Sequence, residues 1–161
     1  MGMTAAVKNC FGTVTGFRKA LTHSLYGHRP ELFTQIILEI CQLIHPCLNI
    51  VDATTMMHVT GPTGGIPCHL DIIGASDSAV AVDTAFYTLL GLKPERIPLW
   101  QAATKARLPG SIEGELEFVK DIPIMPGIQE KVVIPERLEP IVFNPYRYIK
   151  GRLKSLFHRL V

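Results

Sequence analysis

Leu70-Asp-Ile-Ile-Gly-Ala75 runs directly into Ser76-Asp-Ser-Ala-Val-Ala-Val-Asp-Thr-Ala-Phe-Tyr-Thr-Leu-Leu90, and this passage sets the fold class. Its first six residues favour a strand. The remainder repeats at a helical period, with Val82, Ala85, Phe86 and Leu89 as the apolar stripe, Ser76 or Ser78 as N-cap and Gly91 as a stop. Upstream, Cys47-Leu-Asn-Ile-Val-Asp52 reads as another short strand, followed by a loop centred on Gly61-Pro-Thr-Gly-Gly65. Before that strand, Leu32, Phe33, Ile36, Ile37, Ile40, Leu43 and Ile44 predict a helix over 30–44, opened by Pro30 and stopped by His45-Pro46. Helix, strand, loop, strand, helix predicts an α/β layered domain. Long connections and mostly apolar strands point to a mostly parallel sheet flanked by helices.

The outer segments are less regular. Residues 1–28 carry Gly2, Gly12, Gly16 and Gly27 and show no period, so they read as irregular. A short helix is expected over 98–107 and a third, edge-type strand over 115–119. Proline recurs from 121 to 144, which reads as an extended connector. Asn144-Pro145 then opens a terminal amphipathic helix with Ile149, Leu153, Leu156, Phe157 and Leu160 on one face. The expected organisation is an α/β domain over 1–120, incomplete at its N-terminus, followed by a connector and basic helix over 121–161.

Hydrophobic residues make up 47% of the 161 and charged residues 19%, a globular composition. No apolar run approaches the roughly 20 residues that span a bilayer. The N-terminus lacks the layout of a secretory signal, so a cytoplasmic location is expected. The net charge of +2 is unevenly spread. Arg147, Lys150, Arg152, Lys154 and Arg159 lie in a terminal stretch without acids, leaving 11 basic against 14 acidic residues elsewhere. That helix could dock on its own or a following domain or form a dimer contact; membrane-surface binding is a weaker fit. Nucleic acid is not expected, because no aromatic platform accompanies the charge. Cys10, Cys41, Cys47 and Cys68 show neither a zinc nor a cluster-binding spacing and read as structural thiols. Cys10 stands apart because it lies in a glycine-rich stretch.

In parallel α/β sheets, ligands bind beyond the carboxyl ends of the strands. That rule selects Asp52, the loop from Thr60 to Gly65 with Gly61, and the Ser76-Asp77 turn, where a helix N-terminus could cradle an anion. Asp52, His58, Asp77 and Asp83 could together ligate a divalent metal. At the N-terminus, Lys8 could bind an anion and Asn9 orient a substrate. Each has a plainer reading: Asp77 as a helix cap, Asp52 satisfying loop N–H groups, Gly61 to Gly65 and Asn9 with Gly12 as turns. No P-loop, nucleophile elbow, zinc-protease motif or dinucleotide fingerprint occurs.

Ala5-Ala-Val-Lys-Asn-Cys-Phe-Gly12, Leu48-Asn-Ile-Val-Asp-Ala53, Gly61-Pro-Thr-Gly-Gly65 and Ala75-Ser-Asp-Ser-Ala-Val-Ala-Val-Asp83 occur in order. In that order and spacing, over roughly residues 2–110, the chain resembles the bacterial and archaeal domain-of-unknown-function 362 family. The resemblance implies a preceding α/β segment and, in many members, a following ferredoxin-like module with two four-iron clusters. This chain is therefore expected to be part of that unit, with no cofactor of its own and a cluster-bearing domain as neighbour. The motif residues carried over are Lys8, Asn9, Asp52, Gly61, Gly65, Asp77 and Asp83. Three functions follow as expectations. One is an anion- or substrate-binding domain of an iron–sulfur redox protein, with Lys8 and Asp52 catalytic and Asn9, Gly61, Gly65, Ser76 and Asp77 binding. The others are a metal-dependent non-redox enzyme and a non-catalytic assembly module, with a homo-oligomer possible.

Overall fold

The computed structural model of the chain describes residues 3–60, 64–120 and 127–133. Its organising element is helix α4, Ala79–Leu89, in which no residue is exposed. Ser78 caps it by accepting from the Ala81 N–H at 3.2 Å. A helix apolar on all sides must be covered on all sides, and α4 is covered by two different layers. On one side stand α1 (Ala6–Cys10), α3 (Pro30–Ile44) and α5 (Pro98–Lys105). They enclose Val7, Phe33, Ile37, Tyr87, Leu99 and Trp100. On the other side lies a sheet whose Ala53, Cys68 and Leu70 pack on Val82, Phe86 and Leu90.

The helix predicted over 30–44 is present with those bounds, but its buried face is Phe33, Thr34, Ile37, Leu38 and Cys41. Leu43 is 84% exposed, so the apolar stripe read from sequence is rotated by part of a turn. Its end is marked by His45 in the left-handed region (φ 47°).

The sheet is a correction. It is not mostly parallel: β1 (Asn49–His58) and β2 (Ile66–Ser76) form a two-stranded antiparallel hairpin, paired from Asn49↔Ser76 to His58↔Ile66. Both strands are longer than predicted, because β-favouring Thr54, Thr55, Met56 and Met57 extend β1. Only residues 59–65 then remain as connection, far short of the dozen or so that a parallel crossover needs. Between Ala53↔Ile72 and Thr55↔His69, Leu70 and Asp71 oppose the single residue Thr54, and Asp71 takes φ 56° at this bulge. Ile50 and Ile73 stand on the outer face at 62% and 65% exposure.

Three other expectations are corrected. Residues 1–28 are not irregular; they hold α1, a 3₁₀ turn at Phe11–Thr13 and α2 (Gly16–Tyr26). On α2 only Ala20 is buried, while Phe17, Leu21 and Leu25 stand outward at i, i+4, i+8. The strand predicted over 115–119 is absent: a 3₁₀ turn, Glu113–Glu115, leads into exposed chain in which only Leu116 is half-covered. The connector is packed structure over 127–133, where α6 (Ile128–Lys131) buries Ile128 in the hairpin cluster. Val133 then ties to the end of β1, accepting from Val59 N–H at 3.0 Å and donating to His58 Nδ1 at 3.1 Å. The terminal helix over 145–161 and the centre of the Gly61 loop lie outside the described residues.

Gly74 sets how closely β2 approaches α4. A Cβ there would meet Phe86 Cε2 at 2.5 Å, with Cζ at 3.3 Å. Gly74→Ala is expected to destabilise the fold by about 1–3 kcal/mol through overpacking, read as a lower urea midpoint with an unchanged slope. An unchanged midpoint would show that the sheet rides freely over α4.

Candidate functional site

Asp83 is 3% exposed, on the face of α4 that meets the helical layer. One carboxylate oxygen accepts from the Ala6 N–H at 2.7 Å and the other from the Val7 N–H at 3.1 Å. These are first-turn N–H groups of α1, whose N-cap residue Ala5 has no side chain able to cap. Asp83 therefore caps α1 from another element, satisfying donors that a helix leaves open. The Tyr87 hydroxyl donates to the same carboxylate at 3.4 Å, and burial pushes the Tyr87 phenol well above its usual range. Burial also pushes the Asp83 carboxyl up to about 7, against the opposing pull of its three donors. Val7, Leu38, Asp83, Thr84, Tyr87 and Trp100 border a cavity of about 10 Å³, room for about one water. This pocket is too small for a substrate.

The geometry that can meet a ligand lies on α1 and α2. Lys8 is half-buried, and desolvation lowers its ammonium below the usual lysine range. The His23 ring packs edge-on against Phe11 at 5.2 Å and tilted against Phe33 at 5.0 Å. Lys19 Nζ sits 5.4 Å from the centre of the Phe11 ring. Burial lowers the His23 pKa, and the charges of Lys19 and Lys8 lower it further. Three basic groups are thus electrostatically close. Among the described residues, no carboxylate pairs with Lys8 or Lys19, and the buried His23 Nδ1 has no hydrogen-bond partner. The two ammonium charges disfavour a charged His23, and a bound anion would offset them. Sequence reading singled out Lys8 but not Lys19 or His23. Their signal was faint, since α2 was read as irregular.

The other selected residues are dispersed. Asp52 is exposed on β1 and its carboxylate accepts from the Thr54 N–H at 2.8 Å and the Thr54 hydroxyl at 2.7 Å, bonds that hold its pKa below the usual range. The bulge leaves Thr54 without a strand partner, so Asp52 satisfies a loose N–H there. Ser76 Oγ accepts from the Ser78 N–H at 3.1 Å and donates to Asp77 at 3.3 Å, while Asp77 is exposed. Ser78, not Asp77, caps α4. Asn49 ties β1 to this turn through the carbonyls of Ser76 (3.3 Å) and Asp77 (3.2 Å). Asn9 is exposed on α1. Gly65 lies where a Cβ would collide with Met57 and the Thr60 carbonyl, so backbone closeness at the hairpin end requires glycine. Gly61 is outside the described residues.

The proposed metal set is not brought together. Asp83 is in the core, His58 bonds Val133, and Asp52 and Asp77 are on the surface; among the described residues no three His, Cys, Asp or Glu converge. Nor do the four cysteines form a cradle for an iron–sulfur cluster. Cys10 and Cys41 pair in the helical core, Cys68 lies under the hairpin and Cys47 is exposed.

Asp83→Asn tests the cap. Near pH 4 the folded Asp83 is neutral, yet its hydroxyl oxygen still has a lone pair for one N–H, whereas an amide turns an NH2 to that donor, so a loss of roughly 1–3 kcal/mol is expected. A carboxyl raised from 3.8 to about 7 on folding stabilises the protein fully below pH 4 and loses that contribution as pH rises to about 7. The advantage of wild type over Asp83→Asn should therefore shrink across this window. His23, depressed on folding, acts with the opposite sign in both proteins and cancels in the comparison. Urea midpoints at several pH values check it; a gap constant from pH 4 to 7.5 sinks the raised carboxyl.

Comparison with known proteins places this geometry. The profile of the family described as Domain of unknown function (DUF362) matches residues 1–88, a span that holds Lys8, Lys19, His23, Asp52, Asp77 and Asp83. A thylakoid-associated protein of Synechocystis sp. is 32% identical over 163 residues, covering 99% of this chain and 49% of the relative. The chain thus spans about half the length of the curated relative it matches. No solved structure matches it. With its motifs in order and more than half its length under the family profile, the chain belongs to the DUF362 family.

Proposed function

We propose that this chain is the anion-binding part of a longer, iron–sulfur-associated redox protein, with the ligand held at Lys8, Lys19 and His23. The observation that carries the reading is the grouping of three basic side chains without a carboxylate partner among the described residues. Electrostatics favours an anion here for a simple reason. Burial and the charges of Lys19 and Lys8 depress the His23 imidazole, and Lys8 is itself partly desolvated. A bound phosphate or carboxylate would restore the charged forms and gain charge-assisted hydrogen bonds. Asn9, exposed one residue from Lys8, is placed to add a neutral donor.

The redox half of the reading rests on the family resemblance alone. Clusters would sit in a ferredoxin-like neighbour, because this chain's cysteines do not converge on one site. A cytoplasmic location is part of the proposal. No helix among the described residues is long and apolar enough to cross a membrane.

Thermal unfolding with inorganic phosphate and with citrate tests the anion site. At a ligand concentration a hundredfold above Kd, a rise in Tm of about 5–10 °C is expected for wild type. Lys8→Ala and Lys19→Ala should abolish it while unfolding normally without ligand. Equal shifts in all three proteins would remove these residues from the site. The redox half has its own check, elemental iron and acid-labile sulfide on the full-length native protein beside residues 1–161. Iron in the long form only is the expected result, and its absence from both would refute the cluster-bearing neighbour.

A further inference from the structure

The cysteines occupy different settings. Cys47 is exposed, whereas Cys10, Cys41 and Cys68 are buried. Cys68 stands alone under the hairpin, where its thiol donates to the Lys131 carbonyl at 3.7 Å. Cys10 and Cys41 meet. The Cys10 thiol lies 3.6 Å from Cys41 Sγ and 3.4 Å from the Ala6 carbonyl. One is the last residue of α1 and the other belongs to α3, 31 positions away.

We propose that Cys10 and Cys41 are a redox-active dithiol, converted by a disulfide oxidant into an intramolecular disulfide that locks α1 onto α3. The sulfurs need to close from 3.6 Å to about 2.05 Å. That movement falls at the end of a five-residue helix followed by a 3₁₀ turn, where the backbone has least helix to disturb. No third His, Cys, Asp or Glu joins the pair among the described residues. Two thiols without further ligands do not complete the four-coordinate site of a structural zinc, so thiol oxidation is the chemistry open to them.

The order of steps follows from the surroundings. Burial and the bond from Cys10 push the Cys41 thiol up to about 12, so it holds its proton. Cys10, at 9% exposure, retains some access to solvent. The Cys10 thiolate attacks one sulfur of the oxidant R–S–S–R, releasing one R–SH and leaving a mixed disulfide. Cys41 then gives up its proton and attacks the Cys10 sulfur, expelling the second R–S⁻, which leaves as R–SH. Two protein thiols are oxidised and one oxidant disulfide is reduced to two thiols. The consequence is mechanical. Asp83 already fixes the N-terminal end of α1, and the disulfide would fix the other end, clamping the helix that carries Lys8 and Asn9. The inference needs no ligand and stands apart from the anion reading.

The test uses the reduced 161-residue chain under native conditions. Oxidised glutathione is added until exposed Cys47 is modified, free thiols are alkylated in denaturant, and peptides are mapped without reduction. A linked Cys10–Cys41 peptide, two mass units lighter than its reduced components and released by dithiothreitol, is the expected result. Finding both residues alkylated while Cys47 carries glutathione overturns the proposal, as does a link that forms only in urea. In a Cys41→Ala protein, Cys10 should instead accumulate as a glutathione adduct. A folded Cys41→Ala protein whose Cys10 takes none overturns it too.

Discussion

The carboxylate of Asp83 holds α1 in place, and the arrangement of everything near Lys8 depends on that contact. α1 has five residues, an N-cap without a capping side chain and no acid in its first turn. A helix so short is far below the length at which helices persist alone. Its two N-terminal N–H groups are satisfied by one buried side chain 76 and 77 positions away. The cost is a desolvated acid in the core, and burial shifts that acid toward its neutral form. Tyr87 adds a third donor from the next turn of α4. The contact thus joins the start of the chain to its central helix, and Val7 and Cys10 reach the core through it.

That central helix also explains why the fold needs two unlike layers. Both of its sides are apolar, and Gly74 lets β2 lie against Phe86 while Val7, Phe33 and Trp100 gather around Tyr87. The outer faces are different. Ile50 and Ile73 on the hairpin, and Phe17, Leu21 and Leu25 on α2, remain exposed among the described residues. Apolar positions arranged by element and face in this way are those a protein covers with further structure.

Strong local signals were legible in the sequence. Pro30 at the start of α3, Ser78 before α4 and Pro98 at the start of α5 each mark a helix that is present. Pairing was not legible, because strand direction depends on how much chain remains between strands. Counting Thr54 to Met57 as loop made a parallel crossover seem feasible; counting them as strand excludes it. The first 28 residues misled for another reason. α1 has five residues, too few to show a period, and is held by a tertiary bond to Asp83, while the i, i+4, i+8 spacing of Phe17, Leu21 and Leu25 on α2 was in the sequence and was passed over among the glycines. Within the site, Lys8 and Asp83 were both recognised as motif residues, but not what each touches. Lys19 was not selected and His23 reads alone as a weak surface or loop histidine, because their grouping comes from packing on Phe11 and Phe33 that the sequence does not display.

The family motifs meet in space at this same contact. Ala5 to Gly12 and Ala75 to Asp83 are distant in sequence, and Asp83 joins them through Ala6 and Val7. Two motifs that bond directly to each other have a structural reason to occur together, whatever ligand the protein takes. Asp83 therefore serves as a positioning group: it sets α1, and α1 sets Lys8. Lys8 lies in the last turn of α1, where a cation also meets the negative end of the helix dipole. Among the described residues it makes no ion pair, it loses solvation, and its charge reaches His23, which the charge of Lys19 also reaches. Its place in α1, directly after the two residues that Asp83 anchors, ties the position of Lys8 to that one bond, so the proposed anion site would inherit the rigidity of the core.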